Sequence, residues 1–284
     1  MFTSKRNLNF SGYAAAHFDP LGLVLESIIQ QTDVTTDDFM VVGAEARNLL
    51  HRSFGKDPVK LSTTSDIDVA LTMQSWAGIE NLSTTYELLD SSKSAIRFRV
   101  ENVPVNVIPF GVLEQPSGVV QTPKGDQEIN VLGYRTAFKA SEWFILPKVG
   151  AVRVVDPSFY VVLKLEALAD RSKWYKTKDA EDIGTALTWL VPTATDETHI
   201  YDHEFDLLAA YGHDMSKTLT ELFGRHLASV LEFQEHARLM DKVHGLDVDR
   251  FVNDLHRGLF PEMLIDRRSE AVDRFSALTK GLGY

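Results

Sequence analysis

Two aspartates one residue apart, Asp66 and Asp68 in Ser65-Asp66-Ile67-Asp68-Val69-Ala70-Leu71, are the residues best placed to do chemistry. Ile67, Val69 and Leu71 alternate with Asp66, Asp68 and Ala70, the period of a strand with one apolar and one carboxylate-bearing face. Side chains two apart on a strand point the same way, so the two carboxylates stand side by side. Adjacent carboxylates repel unless a cation lies between them, and hard oxygen ligands at this spacing suit Mg²⁺ or Mn²⁺. The bare Asp-x-Asp pair is a weak signal, because it also arises on solvated strands. The upstream context adds to it. Phe39–Val42 is a short apolar run ending at Gly43, and a helix follows over Ala44–Arg52. A strand that ends in glycine and opens a helix offers backbone N–H groups with no side chain in the way, a turn that can hold a triphosphate. It can equally be a routine strand-to-helix turn. Arg47, one helical turn on, either reaches a phosphate or makes a surface salt bridge.

The elements that must position these residues fall into two parts. Asp19-Pro20 reads as an N-cap followed by proline at the first helical position, opening a helix to about Gln31. After the Asp-x-Asp strand, Ser75–Leu89 reads as a helix. Strands follow at Ile96–Val100 and Val103–Ile108, then a loop or hairpin over 110–128, and a last strand at Val152–Val155. Asp156-Pro157 repeats the cap-and-proline signal before helices at Phe159–Arg171 and Lys178–Leu190. The remainder is mostly helical, with Asp196–Tyr201 read as loop. The expected architecture is an α+β (α/β) core of residues 1–155, a twisted mixed sheet with flanking helices, and a helical domain of residues 156–284 closing the cleft.

Two features of the second half bear on chemistry. Lys164 lies on a helix with Phe159, Tyr160, Leu163 and Leu168, so its ammonium either snorkels outward or meets an anionic partner. Asp179 and Asp182 share a helical face. Asp179 suits the helix dipole, and Asp182 is the better functional candidate. The run Arg171-Ser172-Lys173-Trp174-Tyr175-Lys176-Thr177-Lys178 mixes cations with aromatics, as in surfaces that stack unpaired RNA bases, and as in an ordinary solvated loop.

The segments FMVVGAEARNLL, TTSDIDVAL, VPVNVIPFG, NVLGYRTAF, VLKLEALADRSKWYKTKDAEDI and DLLAAYGHDMSKTL run in order along the chain. Together they resemble the polymerase-β-type nucleotidyltransferase superfamily, and within it the AbiEii/MenT-like toxin nucleotidyltransferases. The resemblance implies transfer of a nucleoside monophosphate from a nucleoside triphosphate to an acceptor hydroxyl, in a Mg²⁺- or Mn²⁺-dependent reaction. It puts Gly43 and Ala44 on the nucleotide turn, Thr64 and its neighbour Ser65 on the hydroxyl before the acids, and Asp66 and Asp68 on the metal. It puts Lys164 on the nucleotide phosphates and Asp182 on the later acidic position. It also implies the tRNA 3′ end as acceptor and a cognate antitoxin as partner. A small molecule or protein side chain is the rival acceptor. One position departs from the family pattern: Asn106 stands where many members carry a third aspartate. Asparagine cannot take a proton or bring negative charge, so another acid (Glu101 is near), a single well-held cation, or a weakened, merely nucleotide-binding or regulatory module must account for it.

Composition bounds these readings. The chain has 284 residues with a formal net charge of −11, which argues against a general nucleic-acid coat while permitting a local basic patch. There is no cysteine, hence no disulfide, thiolate site or thiol nucleophile. No apolar run suggests a membrane span, the first residues lack the apolar segment of a secretory signal, and a cytoplasmic location is expected. The histidines show no metal-ligand spacing, and neither Gly-x-Ser-x-Gly nor a Walker pattern occurs.

Overall fold

The computed structural model describes residues 6–13, 17–57, 61, 65–89, 96–115, 118–122, 127–172, 174, 176–260 and 266–283. The chain divides into two compact units, Asn7–Tyr160 and a second that runs from Val161 onward and also takes in Arg6.

The first unit is built on a mixed sheet. Its elements are α1 (Asp19–Gln31), β1 (Phe39–Val42), α2 (Gly43–Ser53), β2 (Ile67–Met73), α3 (Ala77–Thr85), β3 (Glu87–Leu88), β4 (Arg97–Val100), β5 (Val103–Gly111), β6 (Val119–Gln121), β7 (Glu128–Asn130), α4 (Tyr134–Ala140), β8 (Glu142–Leu146) and β9 (Gly150–Val154). Seven strands join in the order β3-β4-β5-β2-β1-β9-β8, and β6 and β7 form a separate hairpin. β2 lies between antiparallel β1 and parallel β5. A strand paired on both sides must be apolar on at least one face, and Ile67, Val69, Leu71 and Met73 are all buried. Leu21, Val24, Leu25 and Ile28 of α1 and Ala46, Leu49 and Leu50 of α2 are buried too, the helical-period stripes that cover a sheet.

The second unit is helical: α5 (Pro157–Ser172, which starts in the first unit), α6 (Lys178–Leu187), α7 (Ala194–His203), α8 (Phe205–Ala210), α9 (Met215–Val230), α10 (Phe233–Val243), α11 (Val252–Leu259) and α12 (Arg268–Gly281). Asp156 caps α5 as its sequence implies, accepting the Ser158 N–H at 2.8 Å. α6 and α11 approach backbone to backbone: a Cβ on Gly184 would lie 2.9 Å from Leu259 N, and one on Gly258 would lie 2.8 Å from Thr185 N. Among the described residues no helix is long and apolar enough to cross a membrane.

The structure departs from the sequence reading at several elements. Asp19 is the first residue of α1 rather than its cap, which is Phe18. The expected helix at 75–89 is shorter, because Tyr86 is extended and leads into β3. Residues 196–201 are helical, not loop. Thr193 and Asp196 form a reciprocal capping box that starts α7, and the polar composition of the segment hides it. α4 and β8 were not anticipated.

Candidate active site

The acidic pair sits where three strands meet. The antiparallel register of β1 and β2 sets Val42 opposite Asp68, so the end of β1 lies against the start of β2. Gly43 follows with φ +64, a left-handed conformation that glycine adopts without the Cβ penalty of other residues. A Cβ there would overlap Asp68 Oδ2 and lie 2.8 Å from both Asp68 Cβ and Cγ. The bend therefore packs directly on the Asp68 carboxylate, and both the φ angle and the space require glycine.

The parallel register of β2 and β5 aligns Asp68 with Asn106, and β4 sets Arg97 opposite Asn106. Cross-strand neighbours share a face, which puts Arg97, Asn106 and Asp68 in one row, with Asp66 beside it. Asn106 Nδ2 donates to Asp66 Oδ2 at 3.0 Å and to Asp68 Oδ1 at 2.8 Å. One amide thus holds an oxygen of each carboxylate. Arg97 brings a terminal nitrogen to 3.7 Å from Asp66 Oδ2, while its Nε is buried without a hydrogen-bond partner among the described residues. The Asp66 side chain is 28% exposed, so the pair opens to solvent.

Glu45, in the first turn of α2, is a third carboxyl in this neighbourhood. Burial raises its pKa above the usual range and the Asp68 charge adds to the rise, while Arg47 and a hydrogen bond with Asn48 oppose it. The sequence reading passed over Glu45 and Arg97. The alternation of Arg97 and Arg99 on β4 is the signal that places Arg97 on the Asn106 side.

Other candidates fall as follows. Ala44 is half-buried beside Gly43, and Ser65 is exposed just before the pair. Thr64 lies outside the described residues. Arg47 is not at the surface: its side chain is 1% exposed and bonds Asn48 Oδ1 at 3.3 and 3.1 Å through Nε and a terminal nitrogen. Its guanidinium is enclosed in the packing around α2 rather than held out at the surface. Glu101 is exposed in the β4–β5 turn with φ 48, in a tight turn rather than on the strand face that carries the acids.

In the second unit, Lys164 and Asp182 come together. Lys164 Nζ lies 2.6 Å from Asp182 Oδ2 and 3.0 Å from Asp179 Oδ1, with both carboxylates about 5% exposed or less. Arg171 adds a contact to Asp179 Oδ2 at 3.1 Å. Asp179 is therefore a member of this buried ion cluster rather than only a dipole partner. Trp174 is 76% exposed, with Arg171 and Lys176 exposed beside it; Lys173 and Tyr175 lie outside the described residues. His199 and His203 lie side by side on α7 with tilted rings, their centroids 4.8 Å apart.

Among the described residues no three His, Cys, Asp or Glu side chains gather as a metal site. The donor set at Asp66 and Asp68 nevertheless fits a hard divalent cation: two carboxylate oxygens converge on one amide, whose own oxygen is a hard ligand once the amide turns over.

No protein-family model matches the chain, and no curated protein matches it. Among solved structures it is similar to an antigenic nucleotidyltransferase-like protein from Paracoccidioides brasiliensis. The two are 18% identical, with 72% of this chain and 93% of that chain covered and a TM-score of 0.40.

Proposed function

We propose that the chain is a nucleotidyltransferase that transfers a nucleoside monophosphate from a triphosphate to an acceptor hydroxyl. The observation that supports this reading most is the packing of the Gly43 bend on Asp68, with Asp66 and Asp68 converging beside it. The bend opens α2, and N–H groups at a helix N-terminus favour phosphate oxygens. Ala44, next to the bend, adds only a methyl group there, and Ser65 offers a hydroxyl next to the acids. Asp66 and Asp68 would hold Mg²⁺ or Mn²⁺, which when bound supplies charge stabilisation to the oxygens that attack and leave at the α-phosphorus. The chain's own task is positioning: the carboxylates fix the reacting end and Arg97 offers positive charge beside Asp66. The resemblance extends the proposal to the tRNA 3′ end as acceptor and to a toxin restrained by an antitoxin.

The test is incubation with α-labelled nucleoside triphosphates, Mg²⁺ or Mn²⁺, and either bulk tRNA or a protein lysate. Label should enter one of the two with release of pyrophosphate, and Asp68→Ala should lower the rate by about 10²–10³-fold, the range of losses seen when a charge-stabilising group is removed. Equal activity in Asp68→Ala would overturn the site. A second reading has its own observation. Asn106 puts a neutral amide where a third acid would act, which suits a protein that binds triphosphate without turnover. Binding with no pyrophosphate from any acceptor would favour that reading.

A further inference from the structure

The amide of Asn106 occupies an unusual place: one nitrogen serves both carboxylates of the pair. We propose that Asn106 keeps the acidic pair one charge short of a self-sufficient cation site, so that a divalent ion enters with the triphosphate and not ahead of it. This rests on the nucleotidyltransferase reading above.

Three observations carry the inference. The contact is fixed by the fold, because the parallel register aligns Asp68 with Asn106 across neighbouring strands. The negative charge of the pair is already partly offset in the protein alone, by the two N–H···O bonds and by Arg97 at 3.7 Å from Asp66. No third His, Cys, Asp or Glu joins the two acids in a metal-holding group among the described residues. A lone cation would therefore have to break the amide contacts and approach near an arginine to reach the two carboxylates. A triphosphate would supply further anionic ligands to a cation at the pair, and Asn106 would then offer Oδ1 in place of Nδ2. Asn106 is a positioning residue in this scheme. It holds the two acids together without a cation and sets the order of assembly.

The experiment is equilibrium dialysis of Mn²⁺ against the full chain, with and without α,β-methylene analogues of the four nucleoside triphosphates tried in turn. Wild type should retain Mn²⁺ weakly alone and at least tenfold more tightly with an analogue. Asn106→Asp should bind Mn²⁺ alone roughly 30-fold more tightly than wild type, the factor expected for one added carboxylate about 4 Å from a divalent ion even at bulk-water screening. Thermal unfolding gives a second readout. Asn106→Asp should melt below wild type in EDTA, where three carboxylates crowd together, and recover with Mn²⁺. Wild-type Mn²⁺ affinity that is equal with and without analogue, or an Asn106→Asp affinity equal to wild type, overturns the inference. Asp66→Ala separates the two levels. If it abolishes Mn²⁺ binding while Asn106→Asp changes nothing, this inference alone fails. If it leaves Mn²⁺ binding intact, the nucleotidyltransferase site fails and this inference with it.

Discussion

Replacing Gly43 by alanine tests the centre of the site with one methyl group. Gly43 has φ +64, where an L-residue with a Cβ is disfavoured by about 1–2 kcal/mol. The added Cβ would overlap Asp68 Oδ2 and sit 2.8 Å from Asp68 Cβ and Cγ, so the aspartate or the bend must shift, with an overpacking cost of about 1–3 kcal/mol. The total of about 2–5 kcal/mol corresponds to a fall of several degrees in thermal midpoint for a chain of this size. The functional effect should be larger, since a displacement of about 1 Å in a positioned group can lower a rate by about 10². Gly55 supplies the control. It has φ +76, but nothing lies within 4 Å of a Cβ built on it. Gly55→Ala should therefore show only the backbone penalty, with pyrophosphate release at the wild-type rate. The measurements are thermal unfolding of both variants and initial rates of pyrophosphate release. If the two variants lose equal stability and Gly43→Ala keeps its activity, contact between the bend and Asp68 is of no consequence and the reasoning fails.

Lys164→Met should cost about 3–5 kcal/mol in urea unfolding, because it leaves Asp179 and Asp182 buried without the ammonium that lies 3.0 and 2.6 Å away. Adding Asp182→Asn in that background should recover part of the loss; no recovery would mean the cluster is not held by charge. His51 should make stability depend on pH. Burial, with help from Lys56 and Arg47, lowers its pKa to about 4, against about 6.5 in the unfolded chain. The folded state holds the imidazole neutral, so this stability is complete above pH 6.5 and is lost as pH falls toward 4. His51→Gln should shrink the stability difference between pH 7 and pH 5 by about 2 kcal/mol. Urea titrations at the two values check this, and an unchanged difference would refute it.

Features that depend on local periodicity and covalent geometry are legible along the chain. The alternation about Ile67, Val69 and Leu71 placed Asp66 and Asp68 on one face, because side chains on a strand reverse at every residue. Glycine after an apolar run marked the bend at Gly43, and Asp156-Pro157 marked the start of α5, because each residue's own backbone preference acts there. The α+β core followed from the same signals. Where polar composition masks periodicity, the sequence misled, as at α7, whose start is set by the Thr193–Asp196 capping box.

Which side chains meet depends on how the strands and helices pack. Asn106 lies 40 residues from Asp66 and 38 from Asp68, yet one amide joins them, because the register of β2 and β5 brings those positions into line. The family resemblance implies an acid at position 106; in the fold Asn106 is the donor between Asp66 and Asp68. Arg47 went inside and Arg97 came to the acids for the same reason. Whether a charged group meets solvent, a carboxylate or the interior depends on what other elements pack over it, and no spacing within a single strand or helix carries that information.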